Sequence, residues 1–219
     1  RGYLDRIIFR FISDNVAALQ ALKNGELSFI PRAISAEQYD EETNDPEFLK
    51  KFAKVEYYTG GFCWTGWNMR RPPFNDPKVR LAMAYGALHR EEFLEQVLHG
   101  HGIVVTGSEY YYGPAYDHSI PSYPYDPEKA KQLLLEAGWY DRDGDGLRDK
   151  EFLDAHGKPY LEPFRFEHLL PSGSEVTRRR VALMKENLRK LGIDMTLREL
   201  EWATFIQNIT DRKFDACYL

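Results

Sequence analysis

The sequence predicts an α/β fold, a mixed sheet built from βαβ units with flanking helices, and two kinds of periodicity carry that prediction. Side chains of one face, nearly all apolar, alternate with their neighbours at Ile7, Phe9 and Phe11, at Phe164, Phe166, His168 and Leu170, and at Ile193, Met195 and Leu197, which is the period of a strand. Between such runs they fall at helical spacing, as at Ala130, Leu133, Leu134 and Ala137 and again at Val181, Met184, Leu188 and Leu191. Strands that alternate with helices favour parallel pairing under helical cover.

Taken in order, a strand is expected over Asp5 to Ile12, a helix from about Asn15 to Asn24 closed by Gly25, and a short strand over Leu27 to Ile30. Residues Glu37 to Lys54 are polar and helical in part, and the aromatic stretch Val55 to Asn68 reads as strands bent at Gly60-Gly61. Asp76-Pro77 and Asp126-Pro127 each start a helix, because the aspartate accepts from free backbone N–H groups and proline fits the first helical position. The second of these helices ends at Gly138. Residues Ile103 to Tyr125, rich in Gly, Pro, Ser and Tyr, form a long ordered loop of the kind that is functional or wraps a domain. Beyond an Asp-Gly loop near residue 145, a strand, a helix from about Ser174 to Leu191 ended by Gly192, a second strand, a helix from Trp202 to about Asp211 and a terminal strand complete a βαβαβ series.

With 219 residues, 43% of them hydrophobic, the chain can bury one substantial core, and a single domain over residues 1–219 is the expectation. The net charge of -5, with both signs interspersed, leaves no basic stripe for nucleic acid. No apolar run is long enough to span a bilayer. Cys63 and Cys217 are too few and too far apart for a disulfide framework or a zinc site and read as reduced thiols. The chain starts directly in a strand pattern and stops within one, at Phe214 to Leu219, so it reads as a fragment of a longer protein.

Several segments, in order, are similar to one family. "YLDRIIFRFISDNVAALQALKNGELSF", "FNDPKVRLAMAYGALHREEFLEQVLHGHG", "YPYDPEKAKQLLLEAGWYDRDGDGLRDK", "LRKLGIDMTLRELEWATFI" and "FDACYL" resemble the large C-terminal lobe of the family 5 extracellular solute-binding proteins, which include oligopeptide, dipeptide and nickel binders. The resemblance implies one lobe of a type II periplasmic-binding-protein (venus-flytrap) architecture, with the small lobe and the hinge's return strands outside this chain. It implies a monomeric substrate-binding component of an ABC import system that takes peptides, nickel chelates or oligosaccharides. Such a protein is periplasmic or extracellular, free or lipid-anchored, hands its solute to a membrane permease and is not an enzyme. Where relatives cap the second helix of a pair with Asp, this chain has His89, a weaker cap.

For the solute site, the resemblance points to Trp202, at the start of the last helix, and to Tyr218, on the strand leading to the ligand's amino-terminal anchor. Trp67 and Asn68 stand on the strand before the helix pair, where a cleft can reach. Aromatic faces suit solute pockets, although core packing explains Trp202 equally well and Trp67 better. Asp141, Asp143, Asp145 and Asp149, with the Leu147 carbonyl, follow calcium-loop spacing, but Phe152 stands where the bidentate glutamate belongs, and an Asp/Gly turn bonded to its own backbone is preferred to Ca²⁺. His89, His99 and His101 lack partner carboxylates at ligand spacing. No nucleophile elbow or Cys/His signature is present, so no catalytic residue is assigned and an extracellular hydrolase is a poor rival. A calcium-stabilised structural or adhesive module is the alternative from another class.

Overall fold

The structure is a computed structural model that describes residues 3–219, and the chain divides into two compact units, residues 1–57 and 58–219. In the first, α1 (Asn15–Lys23) is capped by Asp14, whose carboxylate accepts from the Ala17 N–H at 2.7 Å. It ends at Gly25, where φ is +79° and the Glu26 N–H returns to the Ala21 carbonyl. A π-helical turn over Gln38–Glu42 and α2 (Pro46–Lys51), capped by Asp45, follow. Leu19 and Leu22 of α1 bury themselves against Phe48 of α2, with Leu27, Ile30 and Phe52 at the margin.

The strands expected over Asp5 to Ile12 and Leu27 to Ile30 do not form. Ile7, Phe9 and Phe11 are exposed and lie in no strand. Alternation makes a segment fit for a sheet, but a strand exists only through hydrogen bonds to a neighbour, and none is offered there among the described residues. Leu27 and Ile30, three residues apart, both turn onto the Leu19, Leu22 and Phe48 cluster, which a period of two does not allow.

The second unit holds a four-stranded sheet. Of the aromatic stretch expected as bent strands, only β1 (Thr65–Trp67) forms. After it come α3 (Pro77–Gly86), α4 (Arg90–Leu98), α5 (Pro127–Glu136), the hairpin β2 (Asp149–Leu153) and β3 (Pro159–Pro163), β4 (Arg165–Pro171), α6 (Glu175–Lys190), β5 (Asp194–Leu200), α7 (Trp202–Thr210) and β6 (Ala216–Tyr218). The sheet order is β1-β6-β4-β5, with β4 parallel to both β5 and β6 and β1 antiparallel to β6. The β2/β3 hairpin is a separate two-stranded sheet.

Capping explains the helix starts. Asp76 accepts from the Lys78 N–H and Asp126 from the Lys129 N–H, each at 2.8 Å, and Ser174 caps α6. His89 does cap α4, its Nδ1 accepting from the Glu92 N–H at 3.0 Å. Helices α3 and α5 approach closely because residue 86 is glycine; a Cβ there would lie 2.6 Å from Leu191 Cδ1 and 2.7 Å from Ala130 Cβ.

The core lies on one face of the sheet. Met184 and Leu188 of α6 pack with Val79, Ala82 and Met83 of α3 and Leu133 and Leu134 of α5 over Phe166, Met195 and Ala216. Trp67 stacks on Phe74 at 4.6 Å, and Trp139 sits 4.4 Å from Phe164. The opposite face is covered by α7, where Phe205 packs on Leu169 and Cys217.

Candidate functional site

The winding of the sheet singles out one of its edges. From β4 the chain passes through α6 on one face to β5, then through α7 on the other face to β6, which lies on the far side of β4. The connections therefore diverge at β4 and β6. In open α/β sheets such a switch point opens a crevice beyond the carboxyl ends of the strands, and ligands bind there. Here that edge carries Pro171 to Ser174 after β4, Glu201 and Trp202 after β5, and Tyr218 at the end of β6.

Trp202 opens α7 with 54% of its surface exposed and its ring stacked 5.9 Å from Phe205. Glu201 caps the helix through the Ala203 N–H at 2.9 Å, so the indole is carried on a fixed backbone. Tyr218 is 9% exposed and pairs with Thr65 across the β1/β6 ladder. The Arg180 guanidinium lies 4.3 Å over its ring. Burial, with the Cys63 thiol beside it, pushes the phenol's pKa well above the ordinary tyrosine range, so it stays a neutral donor at physiological pH. Cys217, on the other face of β6, is a buried thiol pushed up to about 11 by that burial.

Asn68 lies elsewhere, and Trp67 packs on the core face of β1. Because β1 runs antiparallel to β6, the residues after Trp67 reach the amino end of β6, away from the crevice. There Asn68, 8% exposed, donates from Nδ2 to the Phe214 carbonyl at 2.8 Å, accepts at Oδ1 from the Arg70 N–H at 3.2 Å, and sends its own N–H to the Asp215 carbonyl at 2.8 Å. Trp67 stacks on Phe74 and meets Phe166 edge-on at 6.1 Å. The structure thus brings Trp202 and Tyr218 to one edge, sends Asn68 to the other and packs Trp67 on the core.

In the Asp-Gly loop, carboxylate oxygens of Asp141, Asp143 and Asp145 lie within 4.8 Å of one another on the surface. Each is engaged with its own backbone: Asp141 accepts from Gly144 at 2.8 Å and Gly146 at 3.1 Å, Asp143 from Asp145, and Asp145 from the Leu147 N–H at 2.7 Å. Asp149 is drawn into an ion pair with Arg142, and Phe152 packs toward Trp139. Arg148 ties the loop down, donating to the Leu191 carbonyl at 2.7 Å and the Trp139 carbonyl at 2.9 Å. These bonds are those of an Asp/Gly turn whose side chains accept from their own backbone.

Two further polar side chains, His168 on β4 and Arg180 on α6, lie near one another on the face that α6 covers. His168 is 0% exposed and neither ring nitrogen reaches a hydrogen-bond partner. Burial, and secondarily the Arg180 charge, lower its pKa to about 4, so it is neutral at pH 7. Arg180 belongs to α6, and burial lowers its pKa as well. The spacing could have flagged it: residue 180 lies four before Met184 and three after Thr177, both buried on the helix's inner stripe.

An open, doubly wound sheet with Trp202 and Tyr218 at its carboxyl edge defines the class of α/β protein, and this one has the fold of one lobe of a type II periplasmic binding protein. The chain belongs to the bacterial extracellular solute-binding proteins, family 5, whose middle-region model matches residues 1–219. It is 30% identical over 220 residues to the oligopeptide-binding protein AppA of Bacillus subtilis (strain 168), covering 98% of this chain and 37% of AppA. The structure of AppA in complex with a nonapeptide superposes with a TM-score of 0.72 over 95% of this chain and 39% of that one. A probable di/tripeptide-binding protein 5 of Pseudomonas aeruginosa (strain UCBPP-PA14) is 27% identical, over 99% of this chain and 36% of its own length. NikZ of Campylobacter jejuni, in complex with Ni(L-His), shares the fold at TM-score 0.74 and 23% identity, over 95% of this chain and 38% of that one. The chain therefore spans less than two fifths of the length of these relatives. No described helix is long and apolar enough to cross a membrane.

Proposed function

We propose that this chain is the ligand-facing part of the large lobe of a substrate-binding component of an ABC import system, and that the solute is a peptide. The observation that carries this reading is the switch in winding at β4 and β6, whose carboxyl edge bears an exposed Trp202 and a buried Tyr218. A second lobe, supplied by the rest of a longer protein, closes over the solute by hinge motion, and a membrane permease receives the loaded form. The protein acts outside the cytoplasm, free or lipid-anchored, as a monomer, and it binds its solute reversibly without covalent chemistry. Peptide is favoured over nickel chelate because the relative at 30% identity is an oligopeptide-binding protein, whereas the likeness to NikZ rests on fold. The relatives described above give no support to a calcium-stabilised adhesive module.

Within this proposal, Trp202 offers a flat apolar face to the peptide and Tyr218 a neutral hydroxyl, while Asn68 and Trp67 hold the sheet that presents them. The test is calorimetry of the full-length protein against a pool of short peptides and against a nickel–histidine chelate. Micromolar or tighter binding of peptides alone is expected. Binding of the chelate alone, or of neither, refutes the reading.

A further inference from the structure

A pocket of about 200 Å³ opens between β1, α3 and α6, at the end of the sheet where Thr65 pairs with Tyr218. Trp64 and Trp67 stand in its wall, and its polar groups are Cys63, Thr65, Arg90 and Arg180. Two of these are guanidinium groups and none is a carboxylate. Among the described residues, no acidic side chain pairs with either arginine. Arg90 spends its donors on the Ala84 and Tyr123 carbonyls. Arg180 is held by the Thr65 hydroxyl, 2.9 Å from Nη2, and by the Tyr218 ring, while its buried Nη1 reaches no acceptor.

A guanidinium keeps its proton in a protein, so burial without a carboxylate is a standing cost to the fold. An unused donor edge on a buried, oriented fork is the geometry that takes a carboxylate through paired hydrogen bonds. The neutral, unpartnered His168 adds a second donor-bearing ring in the buried layer close enough to feel the Arg180 charge. A buried guanidinium nitrogen without an acceptor, on an arginine that lines a tryptophan-walled pocket, calls for an acceptor from outside the chain.

We infer that this pocket is a carboxylate-binding subsite of the solute site, in which an anionic group of the bound peptide docks on Arg180. The inference rests on the peptide-binding reading. The carboxylate is the peptide's C-terminus or an acidic side chain, and the same fork serves either.

The test uses the full-length protein, as wild type and Arg180→Met. One arm measures affinity for Ala-Ala-Glu-Ala-Ala, its Gln analogue and the C-terminally amidated form of each. Removing one of the two carboxylates should weaken binding to the wild type about ten- to a hundredfold, as loss of a charge-assisted pair does, and about equally little in Arg180→Met. Whichever carboxylate matters names the source. A second arm needs no peptide: benzoate should slow modification of exposed Cys63 by a thiol reagent in the wild type and not in Arg180→Met. Protection by benzoate without any peptide binding refutes the peptide reading and leaves the anion site standing. Arg180→Met should melt no lower than the wild type, since it removes an unpaired buried charge. A variant that melts much lower while peptide discrimination is unchanged shows the guanidinium paired inside the protein and overturns the inference. Should Arg180→Met not fold, Arg180→Lys, which keeps charge but loses the fork, must still lose part of the discrimination; full discrimination there also overturns it.

Discussion

Acidification should weaken the second unit through His168. Its ring is buried under α6 with both nitrogens unpartnered, and its pKa is lowered from 6.5 to about 4. A base with a depressed folded-state pKa stabilises the fold fully above the unfolded value and loses that contribution as pH falls toward the folded value. The window is thus pH 6.5 down to about 4. Near pH 5 the unfolded ring is mostly protonated and the folded one mostly neutral, which amounts to about 2 kcal/mol lost relative to neutral pH. His168→Leu removes the titrating group and an unsatisfied polar ring together, so it should match or exceed the wild type at neutral pH. The assay is urea unfolding of both proteins at neutral pH and near pH 5, where carboxylates common to both cancel. The wild type should lose about 2 kcal/mol more than the variant. Equal losses would show that His168 is solvated or paired and refute the argument.

Three further outcomes are expected. Gly86→Ala places a methyl 2.6–2.7 Å from Leu191 and Ala130 and should cost about 1–3 kcal/mol, read as a lower melting temperature; an unchanged melt means α3 and α5 can part freely. Millimolar Ca²⁺ should leave melting nearly unchanged in wild type and Asp143→Ala alike, because the loop's carboxylates already bond their own backbone, and a large rise abolished by Asp143→Ala would contradict this. Trp202→Ala should weaken peptide binding by the full-length protein about tenfold while leaving its melting temperature in place, since the indole is half exposed; a fall in stability with unchanged affinity would assign it to packing.

The elements that were legible in the sequence are those whose signals are local. Asp76-Pro77 and Asp126-Pro127 start α3 and α5, the Val181 to Leu188 stripe places α6, and the alternation on either side gives the parallel pair β4/β5. What depended on distant partners was not legible. Residues 5–12 carry a strand pattern but find no strand to pair with among the described residues. The β2/β3 hairpin was passed over although Asp154 and Gly157, at φ +74°, mark its turn; there the Asp154 carboxylate accepts from His156 and Lys158. Of the site residues, Trp202 and Tyr218 follow from strand and helix ends once the winding is known. The placement of Asn68 required the antiparallel direction of β1, which no local pattern states. Arg180 hid within a run of three arginines, where charge suggests a solvated face and only the helical register puts one of them inward.

The most direct test of the central claim is amide hydrogen exchange of the full-length protein with and without a saturating peptide. Binding at the switch point should slow exchange at the carboxyl edge, in residues 171–174, 201–204 and 218–219, while the Asp-Gly loop at 141–147 and the α3/α5 contact stay as they were. Protection confined to the Asp-Gly loop, or absent from the carboxyl edge at saturation, would contradict the account.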